Sequence, residues 1–301
     1  MTMCVLTGAD LSASHDDLEA EGWVQMNGNG IAFWKASGSG NDFIIIDNRD
    51  LSLNAGDLPA LARSVCRRKI SVGADGLLLV EPSSAADFRW QFFNSDGSAA
   101  AMCGNAARCV ARFAFENGIA GRTMSFETQA GIIGAEVSGD VVKVRLTDPS
   151  PLKSDIRVHL SGGECGLDCI DTGVPHAVCF VASAEACDVA ATGREIRRHE
   201  VFQPEGTNAN FALVINRHKM RVRTYERGVE DETLACGTGV VASVLAAAGR
   251  RFVDSPVDVS VQSGESLRVY FSHRDGAFLE IYLEGKVKMV YQGMLFEEAY
   301  R

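Results

Sequence analysis

Ala101-Met102-Cys103-Gly104-Asn105-Ala106 and Leu234-Ala235-Cys236-Gly237-Thr238-Gly239 follow one pattern: cysteine, glycine, a small polar residue or its equivalent, then an alanine-rich run. Each run reads as a helix, so each cysteine stands at a helix start. There the first backbone N–H groups lack intrahelical partners and the helix dipole is positive, which lowers a thiol pKa and favours the thiolate. The same N–H groups can hold a carboxylate. Two such cysteines facing each other across a cleft would form a symmetric acid/base pair.

The sequence around the two segments repeats as well. Before the first, strands are predicted over IAFWKA and FIIID, flanking the turn Gly38-Ser39-Gly40-Asn41-Asp42, and over Leu77–Val80 and Phe88–Asn94. A short helix is expected over Leu58–Arg68. The first cysteine helix should run from Asn105 to Glu116 and close on Asn117-Gly118. Alternating strands fill Thr123–Leu146, and Asp148-Pro149-Ser150-Pro151 ends the unit. The second half has strands at Ile156–Leu160, Cys169–Thr172, Ala177–Val181, Phe211–Ile215 and Met220–Tyr225, with helical patches near Ala182–Ala191 and Arg194–Glu200. Its cysteine helix, Gly239–Ala248, is followed by four more strands ending at Lys286–Tyr291. A helix apolar all round must be wrapped, here by strands. The expectation is an α+β chain of two pseudo-symmetric domains, each a barrel-like, mostly antiparallel sheet around a central helix. Its divisions are an N-terminal extension (1–30), a first domain (31–148), a second domain (149–285) and a returning strand (286–301).

Composition narrows the function. At 301 residues, 46% hydrophobic and 23% charged, the chain has ample length for a core and is not a disordered sequence. A net charge of −10 argues against nucleic acid or an anionic membrane as partner. No apolar run spans a bilayer, and the start lacks a secretory pattern. Nine cysteines without scaffold spacing read as reduced thiols, hence a cytoplasmic location.

Cys66, Cys109, Cys179 and Cys187 read as small buried hydrophobes. Cys165 and Cys169, spaced C-x3-C with Cys179 nearby, lack the second matched pair or histidines of a zinc site, so no metal is expected. A Cys/His protease dyad using His176 would leave one matched cysteine unexplained. Glu226 and Arg227 lie shortly before Cys236: arginine suits bidentate capture of a carboxylate, and glutamate pairs with an ammonium. Asn94 and Asn208 would add neutral hydrogen bonds for a zwitterion. The reaction that needs two opposed thiols is inversion at an α-carbon, one thiolate removing the α-proton while the other thiol delivers one. Helix N-termini aimed at the α-carboxylate would stabilise the carbanion-like state. This design needs no cofactor.

With these residues placed, the chain resembles the diaminopimelate epimerase family from about Phe33 to Gly293. The likeness rests on Lys35…Gly38-Ser39-Gly40-Asn41-Asp42-Phe43, Asn94-Ser95-Asp96-Gly97-Ser98, Cys103-Gly104-Asn105…Ala107-Arg108-Cys109, Pro175-His176, Asn208 and Tyr225-Glu226-Arg227-Gly228…Thr233 through Gly239. The resemblance implies that Cys103 and Cys236 interconvert LL- and meso-diaminopimelate without cofactor, in lysine and peptidoglycan precursor synthesis. It implies that Gly104, Asn105, Gly237 and Thr238 hold the reacting centre. Asn41, Asn94, Asn208, Glu226 and Arg227 would recognise the substrate, mainly at its distal end, and His176 would tune the cysteines. Val174 stands where the family often has Asn, and Gly76 where Gln is frequent. The partner implied is a small molecule; a homodimer is compatible with the sequence. The alternatives are a cofactor-independent racemase for histidine, proline, hydroxyproline or glutamate-like substrates, and a binding protein on the same fold.

Overall fold

The computed structural model describes residues 30–300. The extension expected over 1–30 therefore lies outside the described residues, apart from Gly30. Strands Ile31–Gly38, Asn41–Asp47, Gly76–Glu81, Phe88–Asn94, Thr123–Thr128, Gly131–Ser138 and Val141–Arg145 pair in succession, parallel at two of the junctions. They curl around helix Gly104–Glu116. In the second half Lys153–Leu160, Gly163–Asp171, Pro175–Phe180, Asn208–Asn216, Lys219–Glu226, Val257–Ser260, Ser266–Arg274 and Ala277–Lys286 do the same around helix Gly237–Gly249.

Strand Ala277–Lys286 is the seam. It pairs antiparallel with Ser266–Arg274 on one side and with Val141–Arg145 on the other. The last strand, Lys288–Leu295, then pairs antiparallel with Ile31–Gly38, so the chain ends beside its first strand.

The apolar second helix is sheathed by this sheet: Val240, Val241, Ala242, Val244, Leu245, Ala246 and Ala247 are all essentially inaccessible. The helix body has no face for water, and its one buried hydroxyl, Ser243 Oγ, donates to the Gly239 carbonyl. The first central helix differs by burying a whole arginine, Arg108.

Two expectations need correction. Residues 182–188 are not helical; one helix, Val189–Arg198, and a 3-10 turn, Glu200–Phe202, replace the two patches. Asp188 fixes that start, its side chain accepting from the Ala191 N–H as an N-cap. Cys179 and Cys187 are half-buried, whereas Cys66 and Cys109 are buried as expected. The cause is position, since Cys179 sits one residue before the end of its strand and Cys187 in the loop before the helix.

Candidate active site

Cys103 and Cys236 are the N-cap residues of the two central helices, each in extended backbone with the helix beginning at the following glycine. Both helix starts abut one side chain. A Cβ on Gly104 would lie 3.0 Å, and one on Gly237 3.1 Å, from Leu283 Cδ2 on the seam strand. The Cβ of Gly237 would also stand 3.3 Å from Asn105 Oδ1, so glycine is needed where the second helix start approaches the first. The Ser39-Gly40 hairpin reaches across as well. Both residues have positive φ, as a tight two-residue hairpin requires, and a Cβ on Gly40 would meet Leu234 Cβ at 2.6 Å. The two cysteine segments are thus brought to one place from opposite halves.

The thiols differ from expectation in charge state. N–H groups at Asn105 and Ala106 favour the Cys103 thiolate, and the Gly239 N–H and Thr238 hydroxyl, 3.4 Å away, favour that of Cys236. Burial nevertheless outweighs them and pushes both thiols up, with the nearby Glu226 carboxylate adding to the rise at each. The expected lowering at the helix starts is overruled by desolvation.

Asn41 and Asn105, expected separately, belong to one chain of hydrogen bonds. Asp75 Oδ2 accepts from Asn41 Nδ2 (2.9 Å), Asn41 Oδ1 from Asn105 Nδ2 (2.7 Å), and Asn105 Oδ1 from Arg108 Nη2 (2.6 Å). A carboxylate at one end and a guanidinium at the other fix both amide orientations. Each amide oxygen is engaged, and each amide nitrogen retains a second N–H. Arg68 and the buried Lys35 hold the acidic end, through Asp75 and Asp42 at 2.8 Å each.

Asn208 is used similarly. Its Nδ2 donates to the Pro175 carbonyl (3.1 Å) and its Oδ1 accepts from the Arg227 N–H (2.8 Å). Arg227 donates to the Glu205 carbonyl and has no carboxylate within ion-pair distance among the described residues. Glu226 is mostly buried, and desolvation raises its pKa. Asn94 lies at the exposed end of its strand, donating to Ser98 Oγ at 3.0 Å. The cluster therefore presents N–H donors for carboxylates, with one carboxylate, Glu226, for an ammonium.

His176 is buried and pairs in register with Asn208 on the neighbouring strand. Its pKa falls to about 3, mainly by burial and then through the Arg227 charge, so the ring is neutral. Asn210 decides the tautomer. Thr224 Oγ1 donates to Asn210 Oδ1 (2.9 Å), and Asn210 Nδ2 then donates to the Ala177 carbonyl and to His176 Nδ1, 3.1 Å each. His176 Nδ1 is an acceptor and the ring proton sits on Nε2, which has no partner among the described residues.

Sequence reasoning missed Arg108, Asn210 and Leu283 as parts of this site. Arg108 lay within a quoted motif and Asn210 two residues beyond Asn208, but neither carried a signal separating it from a surface residue, and an apolar seam leucine carries none at all. Among the described residues no three His, Cys, Asp or Glu side chains converge as metal ligands, and no helix is long and apolar enough to cross a membrane.

Comparison with known proteins shows the family and the fold. A family profile described as diaminopimelate epimerase matches residues 33–152 and 168–290. The diaminopimelate epimerase of Aquifex aeolicus is 47% identical over 280 residues, covering 89% of this chain and 99% of that one. That of Archaeoglobus fulgidus is 43% identical over 278 residues, covering 88% and 96%. In fold the chain is similar to a phenazine biosynthesis PhzF-family protein of Bacillus anthracis (TM-score 0.72, 16% identity, 89% of this chain and 99% of that). It is also similar to a hydroxyproline epimerase of Agrobacterium vitis (TM-score 0.68, 17% identity, 89% and 93%).

Proposed function

Since the chain belongs to the diaminopimelate epimerase family, we propose that Cys103 and Cys236 are the two bases with which it interconverts LL- and meso-diaminopimelate. The observation that carries this reading is the approach of both cysteine-capped helix starts to Leu283, with Glu226 within charge range of both thiols.

One thiolate removes the α-proton as the opposite thiol delivers one to the other face, and the reverse reaction exchanges the roles. The α-carboxylate lies on the helix N–H groups at Gly104–Asn105 and Gly237–Thr238, where the spare N–H of Asn105 adds a donor. Asn41, Asn94, Asn208 and Arg227 bind the distal zwitterion, and Glu226 takes an ammonium. His176, neutral with its proton on Nε2, serves as a hydrogen-bond donor and cannot relay protons near neutral pH. No step calls for a cofactor. The isomerisation belongs to lysine and peptidoglycan precursor synthesis. We divide the chain at Asp148–Pro151, with residues beyond 286 returning to the first domain, in keeping with the pairing of the last strand. A cytoplasmic location fits the free thiols of the eight described cysteines, and a homodimer fits the exposed apolar residues Val290, Tyr291, Met294 and Phe296.

The test is NMR of the reduced protein with LL-diaminopimelate in deuterium oxide, no cofactor added. Deuterium should enter one α-position as meso product appears, and Cys103→Ser and Cys236→Ser should each abolish turnover. Turnover near the wild-type rate in either variant would refute the two-thiol assignment. Exchange only with proline, histidine or glutamate would move the substrate.

A further inference from the structure

Away from the reaction centre, four more thiols gather beneath helix Val189–Arg198. Cys165, Cys169, Cys179 and Cys187 pack on the cluster that includes Val158, Leu167, Ala177 and Ile196. Strands Gly163–Asp171 and Pro175–Phe180 are antiparallel, with Ala177 opposite Cys169 and Val178 opposite Asp168. Carrying that register on by one residue sets Cys179 opposite Leu167. Cys165, two residues further along, is then its diagonal neighbour on the same face. Their Sγ atoms are 3.5 Å apart, in contact, and both residues are half-buried. Among the described residues, their other hydrogen-bond contacts are long ones, to the Gly166 and Phe180 carbonyls.

We propose that Cys165 and Cys179 form a dithiol site, distinct from Cys103 and Cys236, that hydroperoxides oxidise to an intrachain disulfide. The hydrogen bond from the Cys179 thiol pulls Cys165 down to about 7, and the Arg157 charge assists. The neighbouring sulfur and then burial push Cys179 up, so the pair's thiolate forms first on Cys165. The thiolate is the nucleophile. Cys165 Sγ attacks one peroxide oxygen, the O–O bond breaks, and the departing hydroxide takes a proton to become water, leaving a sulfenic acid. Cys179 Sγ then attacks the sulfenic sulfur. The S–O bond breaks, and hydroxide leaves as water with the Cys179 proton. Two thiols lose two electrons in all, and one hydrogen peroxide becomes two waters. Closing from 3.5 Å to the roughly 2.05 Å of an S–S bond asks each sulfur to move by under about 1 Å.

The contrast with the reaction pair gives the proposal its edge. Burial and Glu226 hold Cys103 and Cys236 up, so at neutral pH they contain less thiolate than Cys165. A scarce oxidant should therefore meet the outlying pair first. The resulting bridge would tie together the two strands that flank the turn before His176, three residues from Cys179.

The full-length reduced protein is treated with substoichiometric hydrogen peroxide at neutral pH, then digested without reductant and analysed by mass spectrometry. The expected first product is a peptide linked Cys165–Cys179, removed by thiol reductant, appearing before any Cys103–Cys236 link and while the thiols of the reaction pair are still free. Cys165→Ser and Cys179→Ser should each remove that peptide and retain the wild-type circular dichroism spectrum and kcat/KM. A first link from Cys165 to Cys169 or Cys187 would overturn the proposal, as would a Cys165 sulfenic or sulfinic acid with Cys179 still free. So would prior formation of the Cys103–Cys236 link. Because the readout is the linkage itself, its failure is separate from any failure of the epimerase reading.

Discussion

At the scale of single residues, the site works through groups whose charge is set by what surrounds them. The Glu226 charge raises both Cys103 and Cys236, so removing it should lower both. On the proposed two-base assignment, the acid limb of kcat/KM reports the free enzyme's coupled thiol pair. In the wild type that limb should lie above the range of an ordinary cysteine. In Glu226→Gln it should move to lower pH, even as kcat/KM falls from lost substrate contact. A limb that stays put would mean that Glu226 does not act on the thiols. His176 makes a second prediction. Its folded pKa, about 3, lies below the 6.5 of an ordinary histidine, so the unfolded chain binds the extra proton between those values. Stability is fully present above about 6.5 and falls as pH drops toward 3, by up to about 1.4 kcal/mol per pH unit. Denaturant unfolding at several pH values should show that slope, and His176→Gln should remove one proton's share of it. The two cysteines and Glu226 stood out in the sequence by residue type and spacing, whereas the role of His176 entered only through the family resemblance. The rise in thiol pKa could not, since desolvation depends on how deeply the helix starts are packed.

At the scale of elements, the two central helices solve burial in different ways. The second is apolar all round, and its pattern announced a wrapped helix. Leu245→Ala there should cost about 2–5 kcal/mol in denaturant unfolding, as for a large-to-small change in a packed core. The first buries Arg108, whose guanidinium bonds Asn105 Oδ1, Ser39 Oγ and the Lys286 carbonyl and has no ion-pair partner among the described residues. Composition could not separate this arginine from a solvated one. Burying a charge without a carboxylate is expensive, and its hydrogen bonds only partly offset that cost. Its positive field favours the Cys103 thiolate, and an anionic substrate would supply the missing counter-charge. Arg108→Gln keeps a donor but loses the charge. The expected result is kcat/KM down by tenfold or more, with the acid limb shifted to higher pH. A fall in stability without that shift would reduce Arg108 to a scaffold.

At the scale of the whole molecule, the duplicated strand–helix pattern was legible, but the seam was not. Periodicity predicts strands; which edge each joins depends on pairing across the chain, and only the structure shows Ala277–Lys286 serving both sheets. That shared strand carries Leu283, against which Gly104 and Gly237 both pack, so one side chain sets the approach of two helices from different halves. A methyl at Gly104 would sit 3.0 Å from Leu283 Cδ2, tighter than ordinary van der Waals contact. In the wild-type background Gly104→Ala should therefore destabilise, although alanine is the better helix former by about 1 kcal/mol. With Leu283→Ala the obstacle is gone, and the same substitution should become neutral or stabilising. A double-mutant cycle by denaturant unfolding measures the difference, expected at about 1 kcal/mol or more for groups in direct contact. Additivity would mean that Leu283 does not control the approach, leaving the Gly237–Asn105 and Gly40–Leu234 contacts to hold the two cysteine segments together.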